Sequence, residues 1–418
     1  MKLLIIGSGG REHAVGKKLL EDPQVTAVFC AKGNAGMLKD GIKILDIAED
    51  AHQDLIAFAK KEVIDWTFVG PEIPLLNGIV DDFQTAGLKI FGPNQAAAMI
   101  EGSKEFAKEL MTEMKIPTAA YQTFSDFEAA KAYVLEQGAP IVVKADGLAA
   151  GKGVVVAETV EEAIEALHEM LEEQKFGSSS ARVVIEEFLV GEEFSLLAFV
   201  DGEHVYPMVI AQDHKRAFDF DRGPNTGGMG AYSPVPQISE AMVEQAVQKV
   251  LHPTVQGMIQ RGTPYHGILY AGLIATAQGP KVIEFNARFG DPETQVVLPR
   301  LESSLAQVIS KLIAHEKPEI KWNNQASVGV VVAAEGYPEV YQKGMLLPEM
   351  TNEDVSVIYA GVAEKEGQLV ANGGRVFLVE AHAETIEAAQ QKVYQALESV
   401  ALDQLFYRKD IGSKALKN

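Results

Sequence analysis

Apolar positions along the chain follow two different spacings. Short, largely apolar runs at residues 3–6, 25–31 and 66–69 stand between stretches with an apolar residue at every third or fourth position, at 14–20, 53–60 and 75–86. Unbroken apolar runs next to glycine predict strands of a parallel sheet buried on both faces, and the 3.6-residue spacing predicts helices laid over them. With shorter strands at 43–45 and 89–91, the order is that of a Rossmann-like, doubly wound domain over residues 1–100.

Beyond residue 100 the pattern changes. Ser103 is placed to cap a helix with the stripe Phe106, Leu110, Met111 and Met114, ended by Ile116-Pro117. Strands at 141–144 and 154–157 flank a glycine-rich loop, and a helix with apolar Ala163, Ile164, Leu167, Met170 and Leu171 precedes a strand at 183–189. Residues 211–234 have no periodicity but are dense in charge and glycine; with Phe218, Phe220, Met229 and Tyr232 to anchor them, they read as a functional loop. A helix near 240–260 leads to strands at 268–276 and 281–287 that pair across the turn 277–280. After the polar joint Lys321-Trp322-Asn323-Asn324, strands at 326–334, 355–360 and 375–381 and a helix at 385–400 predict a separate, mostly β domain. The expected domains are 1–100, 101–321 with a mobile small subdomain at about 119–190, and 322–418, giving a mixed α/β and α+β multidomain fold.

Composition narrows the function. Among 418 residues the formal net charge is −21 and no run of Lys and Arg appears, which excludes a nucleic-acid role and leaves small anionic substrates open. A single cysteine, Cys30 in an apolar run, excludes intramolecular disulfides and fits a reducing compartment. No H-E-x-x-H spacing occurs among the histidines. Met1-Lys2-Leu3-Leu4-Ile5-Ile6 is too short for a signal-peptide core and no apolar run approaches ~18 residues, so a soluble cytoplasmic protein without membrane contact is expected.

The candidate chemistry centres on residues 281–295. In a strand, Glu284, Asn286 and Arg288 share one face while Ile283, Phe285, Ala287 and Phe289 share the other. A carboxylate and an amide oxygen suit Mg²⁺, and the guanidinium suits a phosphoryl group beside it, unless the face is merely a solvated edge. Gly290 and Pro292 turn the chain so that Asp291 and Glu293 come to the same place. At the N-terminus, Gly7-Ser8-Gly9-Gly10-Arg11-Glu12-His13 joins a strand to a helix, an anion site in principle. Glu12 replaces the third glycine of a dinucleotide fingerprint, which disfavours NAD, and Arg11 suits a terminal phosphate; a turn that binds nothing is the alternative. Gly70-Pro71-Glu72 lies at the carboxyl edge of the sheet, where ligands bind in open α/β folds. Lys104 in the first turn of its helix is disfavoured by the helix dipole unless an anion binds there. The loop Asp146-Gly147-Leu148-Ala149-Ala150-Gly151-Lys152-Gly153 lacks the Walker A order and reads as a flap over phosphates above Lys144, or as a plain hairpin. Glu186-Glu187 and Glu192-Glu193 supply acceptors for adenine and ribose, or solvated surface.

A lysine on a helix, a lysine on a strand before a glycine flap, an acidic strand end and a Glu-x-Asn strand, in that order, resemble the ATP-grasp ligases. Gly7 to Ala14, Gln212-Asp213-His214-Lys215-Arg216, the run from Gly223 to Pro234 and Arg288-Phe289-Gly290-Asp291-Pro292-Glu293 resemble more closely the phosphoribosylamine–glycine ligase family, the glycinamide ribonucleotide synthetases of de novo purine (IMP) biosynthesis. The resemblance implies a Rossmann-like domain, a central ATP-grasp domain and a C-terminal β domain. It also implies ATP held by Lys104, Lys144, Gly147, Gly151, Lys152 and Gly153, with Glu186, Glu187 and Leu189 at adenine and Glu193 at ribose. Mg²⁺, or Mn²⁺ in its place, would sit on Glu284 and Asn286. Lys215 and Arg288 would face the developing charge, and Gly9, Arg11, Glu12, Asp213, Asn225, Thr226, Gly227 and Asp291 the small substrates. Glycine would be phosphorylated by ATP to glycyl phosphate and transferred to 5-phosphoribosylamine, by a monomer. The strand Leu269-Tyr270-Ala271-Gly272-Leu273 lacks the further metal carboxylate of many ATP-grasp enzymes. A carboxylase of the same superfamily and a non-catalytic nucleotide sensor are the alternatives.

Overall fold

The structure is a computed structural model that describes residues 1–147, 153–177 and 181–417. The first sheet has five parallel strands: β1 (Lys2–Gly7), β2 (Ala27–Lys32), β3 (Lys43–Leu45), β4 (Trp66–Val69) and β5 (Ile90–Phe91), in the order β3-β2-β1-β4-β5. Leu3 to Ile6 and Trp66 to Val69 are buried throughout, as strands covered on both faces must be. The helix expected at 75–86 is two, Glu72–Leu76 and Ile79–Thr85. Gly78 between them has φ +82°, a left-handed conformation that ends one helix and starts the next.

A second sheet holds β6 (Tyr121–Phe124), β7 (Ile141–Ala145), β8 (Val154–Ala157) and β9 (Val183–Glu187) in the order β6-β9-β7-β8, all pairs antiparallel. Helices Phe127–Gln137 and Val160–Leu167 close it with a core of their own, including Val134, Val143, Leu167 and Ile185. The third sheet runs β11-β10-β16-β17, from β10 (Glu192–Asp201), β11 (His204–Pro207), β16 (His266–Thr276) and β17 (Gly279–Asn286). Glu192 and Glu193, expected at a turn, open a ten-residue strand whose residues 194–201 are all buried. Its apolar run at 196–200 carries the same mark of a strand covered on both faces as β1 and β4, but the acidic residues that open it read as a turn. In β17 a register shift opposite Gly272 breaks the regular pleat, so Ile283 lines the central cleft instead of packing on the apolar side.

The segment 211–234 is not an aperiodic loop. It contains β12 (Gln212–Asp213), β13 (Arg216–Phe218), β14 (Arg222–Asn225) and β15 (Gly230–Ser233). β13 and β14 form a hairpin, whereas β12 and β15 enter the sheet built by β18 (Ala326–Ala334), β19 (Ser356–Tyr359) and β22 (Arg375–Ala383), in the order β12-β15-β18-β22-β19, while β20 (Val362–Lys365) and β21 (Gln368–Ala371) pair with each other. The C-terminal strands are therefore not a separate layer: β15 pairs antiparallel with β18 from Gly230↔Val330 to Ser233↔Ser327. Helix Ile386–Glu398 packs its buried Ala389, Val393 and Leu397 into the same core.

Candidate active site

The sheets enclose a cleft of about 900 Å³. On one wall, helix Lys104–Glu113 starts at Ser103, whose Oγ accepts from Phe106 N at 3.1 Å. Asp146 Oδ1 accepts from Lys104 N at 2.7 Å and Glu105 N at 3.3 Å, so a carboxylate offsets the lysine at the positive helix end. The Lys104 ammonium donates to Gly147 O at 2.8 Å. One turn on, Lys108 reaches Glu186 Oε2 at 3.2 Å, while Lys144 reaches Glu186 Oε1 at 2.9 Å and Ile283 O at 3.1 Å. Glu186, expected at an adenine, lines the cleft with each of its oxygens paired to a buried lysine. Lys108 escaped the sequence reading, although its position four residues after Lys104 puts it on the same helix face. Burial pulls the Lys108 ammonium down to about 8, with Glu186 opposing and Lys144 reinforcing the shift. Burial also lowers Lys104, against the pull of Glu284.

Opposite stands the strand end expected to hold a metal. Glu284 and Asn286 line the cleft, and Asn286 Nδ2 donates to Glu284 Oε1 at 3.5 Å. Burial would raise the Glu284 carboxyl, but Lys215, Lys144 and Lys104 outweigh it and hold it below the usual range. One ionised carboxylate and one amide oxygen on the same strand face fit a hard divalent ion. Arg288 Nη2 donates to Asn286 Oδ1 at 3.2 Å and is itself anchored by Glu101 at 2.8 Å and Glu72 at 3.2 Å. Its charge is largely taken by these two carboxylates, which suits it to orienting Asn286. Glu293 Oε1 accepts from Tyr270 OH at 2.8 Å and Ser195 Oγ at 3.2 Å, which fixes the turn after β17.

The third wall comes from the 211–234 segment. Lys215 Nζ pairs with Glu193 Oε2 at 2.8 Å, and Thr226 ties down the Lys215 carbonyl through its N at 2.7 Å and Oγ1 at 2.8 Å. Burial works against the Lys215 charge, yet Asp213 and Glu193 hold its pKa well above the ordinary value. Asp213 is pushed up to about 7 by burial, with Lys215 opposing and Glu293 and Glu193 adding to the rise. Glu193, expected at a ribose, lines the cleft and pairs with Lys215 through Oε2.

At the N-terminal turn, Glu12 is 2% exposed: Oε2 accepts from Gly9 N at 2.7 Å and Oε1 pairs with Arg11 Nε at 2.6 Å. A side chain on Gly7 or Gly70 would collide with it, so Glu12 shapes the turn and does not face a substrate as expected. Arg11, also bonded to Phe289 O at 3.1 Å, does line the cleft, as do Asp291, Asn225, Thr226 and Gly227. Arg375 bridges these parts, with Nη2 on Asp291 Oδ2 at 3.1 Å and Nη1 on Gly227 O at 2.8 Å and Asp291 O at 3.0 Å. Neither Arg375 nor Lys414 stands in a motif that marks it as a site residue, yet both reach the cleft from the C-terminal part. Of the described residues singled out in the sequence as site residues, Gly9 and Glu12 stay out of the cleft lining; Gly151 and Lys152 lie outside the described residues.

Comparison with known proteins matches three stretches of the chain. Residues 1–101 match the N domain, 102–294 the ATP-grasp (A) domain and 327–414 the C domain of phosphoribosylglycinamide synthetase. A curated phosphoribosylamine–glycine ligase of Streptococcus pneumoniae serotype 4 is 58% identical over 420 residues, covering 100% of both chains. Among solved structures, a phosphoribosylamine–glycine ligase from Thermotoga maritima superposes with a TM-score of 0.85 at 34% identity, over 99% of this chain and 100% of that one. A biotin carboxylase from Campylobacter jejuni superposes with a TM-score of 0.76 over 100% of this chain and 95% of that one, but at 17% identity, which speaks for fold alone.

Proposed function

The chain belongs to the phosphoribosylglycinamide synthetase family, and from that premise we propose how its cleft works. It is an ATP-grasp ligase that acts as a phosphoribosylamine–glycine ligase in purine biosynthesis. In the proposed course, an oxygen of the glycine carboxylate attacks the γ-phosphorus of ATP, the bond to ADP breaks, and glycyl phosphate forms. The amine of 5-phosphoribosylamine then attacks the glycyl carbonyl carbon, phosphate leaves, and the nitrogen gives up a proton to yield glycinamide ribonucleotide.

The observation that carries this reading is the meeting of Lys104, Lys144 and Lys215 with Glu284 and Asn286 in one cleft. No side chain has to become covalently attached; the protein positions the reactants and stabilises charge. Lys104 and Lys144 bind phosphates, with Glu186 holding Lys144 in place and Lys108 holding Glu186. Glu284 and Asn286 would hold a divalent ion, Mg²⁺ with Mn²⁺ able to replace it, which when bound supplies positive charge to phosphate oxygens. Lys215, kept protonated by Glu193 and Asp213, faces the charge that grows during transfer. Arg11, Asp291 and the backbone at 225–227 receive the small substrates. In this reading the enzyme acts as a monomer in the cytoplasm, where the small substrates of purine biosynthesis are met.

The test is ADP release with MgATP while glycine and freshly prepared phosphoribosylamine are added separately and together. Sustained release is expected only with both, because the acyl phosphate stays shielded from water until the amine arrives. Rapid release with bicarbonate in place of glycine would instead make the chain a carboxylase, the reading that the likeness in fold to biotin carboxylase keeps in view.

A further inference from the structure

We propose that Asp201, His266 and His315 form a binding site for a transition-metal ion of the Zn²⁺ class, apart from the catalytic cleft. None of the three lines that cleft. Asp201 closes β10 and His266 opens β16, and the two are directly opposed cross-strand partners, so their side chains are neighbours. His315 follows helix Leu305–Ile313 and adopts φ +55°, a left-handed conformation more usual for glycine or asparagine at a helix end. Asp201 Oδ1 meets His266 Nδ1 at 2.7 Å and His315 Nδ1 at 2.8 Å. The candidate ligand atoms all lie within 4.8 Å of one another. A tetrahedral ion with bonds of about 2.0–2.1 Å needs ligand atoms roughly 3.3 Å apart, which small side-chain rotations provide here.

The electrostatics point the same way. The Asp201 side chain is only 8% exposed, yet among the described residues no lysine or arginine pairs with it; its partners are two imidazoles, neutral unless protonated. A carboxylate withdrawn from water with no fixed counter-charge favours a cation. Two imidazole nitrogens and one carboxylate oxygen select Zn²⁺, Ni²⁺ or Co²⁺ over Mg²⁺, whose preference is for oxygen alone. On binding, each neutral ring passes its proton from Nδ1 to Nε2, leaving both Nδ1 lone pairs for the ion. The ion would clip the end of helix Leu305–Ile313 to the end of the β10–β16 ladder, with a remaining position for water.

The experiment uses the full-length, tag-free protein, stripped with a chelator and titrated with Co²⁺ in saturating Mg²⁺, so that the oxygen site of the cleft is occupied. The wild type is expected to bind one Co²⁺ with a visible absorption band and a dissociation constant of about 10 µM or tighter, and Zn²⁺ should abolish the band. His315→Gln and His266→Gln should each weaken binding at least about tenfold. His315 is 69% exposed in its side chain, so its replacement leaves the fold and MgATP-dependent turnover intact. Absence of a one-to-one complex in the wild type, or equal affinity in the wild type and both variants, overturns the site.

Discussion

Glu284 has its ionised form sustained by three lysines, and glutamine keeps its shape while removing the charge and one acceptor oxygen. Glu284→Gln is expected to cut ADP release on the order of a hundredfold or more at saturating Mg²⁺, with the melting temperature unchanged; near-normal turnover would contradict the metal role. Lys108 makes a prediction of a different kind. Its ammonium titrates near 8 when folded, against 10.5 for an ordinary lysine. Between those values the unfolded chain keeps the proton that the folded chain has lost, so this residue makes stability rise with pH, by on the order of 3 kcal/mol at most. Lys108→Met should flatten the dependence of melting temperature on pH from about 8 to 10.5, and parallel curves for the two proteins would refute the shift. Lys104, Lys144 and Glu284 could be read in the sequence because each stands beside a helix start, a glycine loop or an alternating strand. Lys108 could not: a lysine one turn into a helix looks like solvated surface, and its partner Glu186 is far along the chain.

At the level of elements, length alone did not decide what was legible: the two- and three-residue β5 and β3 were expected from their neighbours, whereas ten-residue β10 and the strands of 211–234 were not. The parallel strands, the helix behind Ser103 and β18 declare themselves by unbroken apolar runs or by a cap. β12, β13, β14 and β15 have between two and four residues each, too few for any periodicity to show, and their glycines and charges look like loop. Their register comes from β18, which no local signal reveals. The turn between β14 and β15 is gripped by Arg375, the first residue of β22, and through it by Asp291. Arg375→Ala should therefore raise the KM for glycine or for phosphoribosylamine about tenfold or more, the cost of a lost charge-assisted contact, while the KM for ATP stays nearly constant. Initial-rate kinetics with each substrate varied in turn would decide it, and an effect confined to ATP would move Arg375 to the nucleotide.

For the whole molecule, the sheet shared by β12, β15 and the C-terminal strands makes the central and terminal parts one cooperative structure. Arg408 strengthens this: 1% exposed in its side chain, it binds Asp221 at 3.0 Å, Asp410 at 2.7 Å and Arg216 O at 2.9 Å. A chain ending at residue 325 would leave β15 an open edge and strip the apolar face it shares with Val328 and Val330. Such a truncated protein is expected to elute as aggregates, to bind a hydrophobic dye, and to release no ADP; a soluble monomer with measurable turnover would show that the central part folds alone. The same crossing sets an order in time. During synthesis the first sheet can close as soon as its own strands have left the ribosome, whereas the segment that carries Lys215 must wait for partners made about a hundred residues later. A nascent chain can thus possess Lys104, Lys144 and Glu284 well before Lys215 is fixed, so an interrupted translation product is expected to release no ADP, which would spare the cell a half-made enzyme that wastes ATP.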